Sequence, residues 1–101
     1  MHPVTFSFTK QPAERFSIGV DWRDRLAETE TLSAVEATAQ RLDPAGTPAP
    51  EVLEGSGIAG PVSYVTVKNG ESGITYKITV RVTTTLGNVY EADLTMRVVE
   101  V

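Results

Sequence analysis

The chain has no cysteine, and its single histidine is His2, next to the amino terminus. Without thiols there is no disulfide framework, no thiolate metal site and no cysteine nucleophile, so stability has to come from packing. One terminal histidine cannot build a metal cluster or act as the base that orients a serine nucleophile, which removes the common catalytic triads. Met1 to Lys10 holds no long apolar stretch and nowhere do 18 apolar residues run together, which argues against a signal peptide and a membrane span. Positive charge is scarce as well: 9 basic residues stand against 13 acidic ones, for a formal charge of -4. The bases are scattered among acids, so no concentrated patch for phosphate forms, and neither nucleic acid nor a membrane is an expected partner.

What remains is ordinary globular material. With 101 residues, 41% hydrophobic and 22% charged, the chain is too apolar to stay disordered and has the length of one domain. We expect one β-sandwich domain over residues 1–101, with residues 1–12 as a candidate extended amino-terminal arm.

The clearest signal is strict alternation. Ile74, Tyr76, Ile78, Val80 and Val82 alternate with Thr75, Lys77, Thr79, Arg81 and Thr83. After the turn Leu86-Gly87-Asn88 the pattern resumes as Tyr90, Ala92, Leu94, Met96 and Val98. A period of two places one set on the core face of a strand and the other in water, and the glycine turn makes the two strands a hairpin. Val62 to Lys68 reads as a preceding strand, with Val65 and Val67 inward and Ser63 and Thr66 near solvent or neighbours. Asn69-Gly70 then turns the chain to complete a three-stranded meander. Upstream, Phe16 to Trp22 and Thr31 to Arg41 are expected strands, with short ones at Val4, Phe6 and Phe8 and at Val52 to Glu54. Arg23 to Glu30 reads as a charged loop anchored by Leu26. Leu42 to Pro50, with three prolines, is expected to cross between sheets or cap an edge. The total is about seven strands, an all-β, immunoglobulin-like (fibronectin III-like) antiparallel sandwich.

Chemistry is sparse. The carboxylate pairs are Asp21 with Asp24, Glu28 with Glu30, and Glu91 with Asp93. The last pair reads as solvating charge opposed across the hairpin by Lys77 or Arg81. Asp21, Asp24, Glu28 and Glu30 share a loop and could chelate calcium, but Arg23 and Arg25 lie among them, and a salt-bridged loop is the simpler expectation. Gly55-Ser56-Gly57 and Gly60 lack the lysine of a phosphate cradle and read as turn glycines. Trp22 and Tyr76 are expected in the core, Tyr76 in the tyrosine-corner role of such sandwiches. No catalytic, cofactor or metal residues are assigned.

The succession Phe8-Thr9-Lys10, Phe16-Ser17-Ile18-Gly19-Val20-Asp21-Trp22, Leu26, Thr31-Leu32, Val65-Thr66-Val67, Asn69-Gly70-Glu71-Ser72-Gly73-Ile74-Thr75-Tyr76 and Thr84-Thr85-Leu86-Gly87 resembles a family of tailed-bacteriophage proteins, the fibre-tail adaptors. The resemblance covers nearly the whole chain and implies a non-enzymatic virion structural protein. Such a protein would assemble in the host cytoplasm in several symmetric copies and contact tail, connector or fibre proteins. A capsid decoration or head-tail accessory role, and a carbohydrate-binding or adhesion module, remain open as alternatives at this point. The residues expected to make contacts are Val4, Phe6 and Phe8 in the arm, Arg23, Asp24, Arg25, Glu28 and Glu30 in the charged loop, and Pro48.

Overall fold

The computed structural model describes residues 4–42 and 45–100; His2 and the Asp43-Pro44 pair lie outside the described residues. Among these, eight strands form: β1 (Val4–Lys10), β2 (Phe16–Asp21), β3 (Leu32–Leu42), β4 (Ala45–Pro48), β5 (Leu53–Ala59), β6 (Val62–Val67), β7 (Thr75–Thr84) and β8 (Val89–Val98). Single 3-10 turns occupy Arg23–Arg25 and Pro50–Val52. A five-stranded sheet ordered β1-β8-β7-β3-β4 faces a three-stranded sheet ordered β2-β6-β5. The all-β sandwich expected from alternation is present, with one strand more than about seven.

The core follows the period of two. Tyr76, Ile78, Val80 and Val82 of β7 lie opposite Met96, Leu94, Ala92 and Tyr90 of β8, and all but Tyr90 are buried. Val65 and Val67 of β6 and Val20 of β2 close the core from the other sheet. Ser63, expected near solvent or neighbours, has the neighbour: it lies fully buried on the same face as Val65 and Val67, and its hydroxyl accepts the Trp22 indole N–H at 2.8 Å.

Three expectations are corrected. The meander does not form, because β6 pairs with β2 and β5 in the other sheet while β7 and β8 pair with each other. The connection from Lys68 to Ile74 is a crossing between layers. Asn69 (φ 53°) and Gly70 (φ 100°) reverse the backbone there, and the Tyr76 hydroxyl accepts the Glu71 N–H at 2.9 Å. Second, the sandwich is not purely antiparallel, since β1 runs parallel to β8 over seven register pairs. The chain leaves β1 through residues 11–15 into the other sheet, so no hairpin ties it to its neighbour.

Third, the cluster Gly55-Ser56-Gly57 is not a turn but the middle of β5. Gly57 lies opposite Tyr64, and the Tyr64 phenol occupies the space that a side chain at position 57 would fill. Gly60, at φ 60°, does sit at the following turn. The proline-rich segment caps an edge and crosses between sheets as expected, and it does so with a short strand. β4 pairs with Gln40–Leu42 at the sheet edge, where a proline costs no ladder bond, and Pro50–Val52 then leads to the other layer.

Lys10 is a buried residue that alternation places in β1 without marking it as special. Its ammonium donates to the carbonyls of Gln11 (2.7 Å), Pro12 (3.2 Å) and Asn69. Burial lowers its pKa from the ordinary 10.5, with Glu14 opposing. The three carbonyls substitute for lost water and pin the end of β1 to the crossing turn.

Candidate functional site

Strand β2 ends where the Trp22 N–H bonds the Pro61 carbonyl at 2.9 Å, and the chain then enters the Arg23–Arg25 turn. Trp22 is fully buried and stacks on Tyr90 with ring centroids 6.3 Å apart and planes 21° apart. The Arg25 guanidinium sits 5.4 Å over the other partner of that stack, Tyr90. Leu26 packs partly buried against the core, as the expected anchor of this loop. Arg23, Asp24 and Glu28 are exposed. Asp21 turns its carboxylate to the loop's own backbone and cation: Oδ1 accepts the Arg23 N–H at 2.9 Å, and Oδ2 lies 3.8 Å from the Arg23 guanidinium. Among the described residues no three acidic, cysteine or histidine side chains gather as a metal site.

Glu30 is corrected. As a charged loop residue it was expected to offer itself to a partner, yet it is 5% exposed. Its carboxylate accepts hydrogen bonds from the Thr84 hydroxyl (2.5 Å), the Asn88 amide (2.7 Å) and the Ala27 N–H (3.0 Å). The Thr84 bond first, then the Ala27 and Asn88 bonds, hold its pKa below the ordinary 4.5. Alongside, the Thr31 N–H donates to the Thr85 hydroxyl at 3.1 Å, and the Thr85 N–H returns to the Thr31 carbonyl at 2.9 Å. The charged loop is thereby lashed to the tip of the β7–β8 hairpin, and the two form one surface.

That tip carries two residues that sequence reasoning did not single out. Leu86 is 59% exposed and Val89 is 51% exposed, on a chain where most large aliphatics are inside. The available signal was a leucine in the Leu86-Gly87-Asn88 turn, where local geometry asks for no apolar side chain.

The opposite end has its own exposed aliphatic, Leu42, at 40%. Its chain neighbour Arg41 pairs with Glu71 at 3.3 Å, and in the other sheet Glu54 pairs with Lys68 at 3.8 Å and with Arg15. Pro48 is exposed on the edge strand β4. Strand β3 links the ends, since Leu32 pairs with Thr84 beside the hairpin tip while Arg41 pairs with Tyr76 at the far end. Its 11 residues separate the two by roughly 33 Å.

The arm residues lie along neither end. Val4 pairs in register with Ala92, Phe6 is 36% exposed, and Phe8 packs edge-on to Phe16 with centroids 5.9 Å apart. The expected arm is, from Val4 onward, an edge strand of the large sheet.

The outer face of that sheet, with Arg81 bridging Glu36 (3.7 Å) and Glu91 (3.2 Å), is a solvated charge ladder. Arg81 thus takes the cross-strand role expected opposite Glu91. Asp93 is held instead by the Thr79 hydroxyl at 3.0 Å, and Lys77 stands opposite Thr95.

No curated protein matches the chain by sequence. A family model does: that of the podophage GP4 fiber-tail adaptor protein gp77 matches residues 10–97, from the buried Lys10 to Arg97, the last residue but one of β8. The match takes in every fully buried core residue but Val98, and the chain belongs to this family of phage fibre-tail adaptors.

Proposed function

We propose that this protein joins a phage tail to its fibres by protein–protein contact alone, with a different partner at each end of the sandwich. The carrying observation is the pair of exposed leucines, Leu86 and Leu42, at opposite ends of a rigid β framework roughly 33 Å long. An adaptor needs two separate docking surfaces held at a fixed distance, and a packed sandwich supplies the spacing without hinges. The tip that carries Leu86 is bound by the charged loop of Arg23 and Asp24 through Glu30 and Thr31, and Arg41, next to Leu42 in the chain, pairs with Glu71. An apolar centre with a polar rim is the ordinary anatomy of a docking patch.

On this reading the protein is not an enzyme and takes no cofactor. It enters the particle during assembly in the host cytoplasm, in several copies that repeat the symmetry of the tail. The test is a phage whose copy of the gene is silenced. Particles should form with tails but without fibres, and purified protein added back should restore fibre attachment. Fully fibred particles from the silenced phage contradict the proposal.

A further inference from the structure

Sheet edges carry unpaired backbone groups, and stable proteins usually guard them with charge, proline, bulges or shortness. Three of the edges here are guarded in this way. β4 is four residues long and ends in Pro48; β5 carries Glu54 at a register shift and two glycines; β2 contains Gly19 and ends on Asp21. β1 has none of these devices. Its sequence is Val-Thr-Phe-Ser-Phe-Thr-Lys, its register with β8 is unbroken, and its one charge, Lys10, is turned into the protein.

The strand is also symmetric about Ser7: Thr5-Phe6-Ser7-Phe8-Thr9 reads the same in both directions. An antiparallel partner of the same sequence, centred on Ser7, sets Thr5 opposite Thr9, Phe6 opposite Phe8, and Ser7 opposite itself. Directly opposed residues share a face with Cβ atoms about 5 Å apart. Phe6, left 36% exposed in the single chain, would then lie beside the second copy's Phe8, which already packs on Phe16. The half-buried aromatic is covered, and two unguarded edges close each other.

We infer that β1 is a self-pairing edge: two copies of the chain join by antiparallel β1–β1 pairing about a two-fold axis at Ser7, making one continuous ten-stranded sheet. The partner is a second copy, because the palindrome makes the strand complementary to itself in both register and aromatic face. The inference does not depend on which virion proteins the two ends engage.

Because the chain has no cysteine, single-cysteine variants report this geometry directly. In Ser7→Cys the two thiols meet at the axis, and mild oxidation should give predominantly disulfide-linked dimer. In Thr9→Cys the two positions are four residue steps apart along the paired strands, about 13 Å, beyond the roughly 7 Å a disulfide spans, so the variant should stay unlinked. Analytical ultracentrifugation should find the unmodified protein dimeric and Ser7→Lys monomeric, since like charges placed directly opposite repel. A monomeric unmodified protein with unlinked Ser7→Cys overturns the inference, including when β1 instead captures a segment of another protein. Equal linking of Ser7→Cys and Thr9→Cys overturns it as well.

Discussion

Glu30 accepts a hydrogen bond from the Thr84 hydroxyl at 2.5 Å, across 54 positions of sequence. Together with the Asn88 and Ala27 bonds to the same carboxylate, this contact fixes the charged loop against the hairpin tip. The exposed Leu86 therefore stands on a surface whose two halves cannot drift apart.

The same bonds set a pH dependence. Glu30 is held below its ordinary pKa of 4.5 in the folded protein. A carboxylate depressed in this way contributes stability that is complete above the unfolded value of 4.5 and is lost as pH falls through the lower folded value. Urea unfolding followed between pH 7 and pH 3 should show this acid limb, and Glu30→Gln should flatten it while lowering the midpoint at pH 7. An unchanged acid limb in the variant contradicts the assignment.

Ser63 gives a second test. Its hydroxyl is the acceptor for the buried indole N–H of Trp22, so Ser63→Ala leaves that donor without a partner at a cost of about 1–3 kcal/mol. Because Trp22 is the only tryptophan, its fluorescence reports both the environment and the unfolding midpoint. The expected result is a lower midpoint; equal midpoints for the variant and the parent count against the hydrogen bond.

Two glycines separate strain from crowding. At Gly60 a Cβ would meet nothing within 4 Å, so Gly60→Ala costs only the left-handed backbone penalty, about 1–2 kcal/mol. At Gly70 the φ is 100° and a Cβ would come within 2.8 Å of the Val98 side chain, so Gly70→Ala should cost more than Gly60→Ala. Thermal unfolding of the two variants side by side decides this, and equal losses contradict it.

Much of the fold was legible because β7 and β8 are buried on one face and wet on the other, which writes a clean period of two into Ile78, Val80, Leu94 and Met96. What alternation cannot carry is partnership and direction. β6 has the same period as β7 but pairs in the other layer, and β1 runs parallel to β8 where a hairpin would have been antiparallel. β5 was legible only at its start, Leu53 and Glu54, because Gly57 reads as a turn while its place is set by Tyr64 on the neighbouring strand. At the candidate site, Arg23, Asp24 and Glu28 could be read as surface from their charge alone. Glu30 could not be told from them, since its partners, the buried Thr84 and the exposed Asn88, lie far off in sequence. Leu86 was passed over because a turn explains its neighbours without explaining it.

The central claim is that the two ends of the sandwich hold different partners, and Leu86→Glu compared with Leu42→Glu tests it most directly. Both are exposed substitutions, expected to change stability by no more than about 0.5 kcal/mol. Each variant would be supplied to a phage silenced for the gene, and the adaptor and fibre content of purified particles measured by quantitative mass spectrometry. The account predicts that one variant yields particles carrying adaptor without fibre, and the other yields particles carrying neither. Particles with normal adaptor and fibre content from both variants would contradict it.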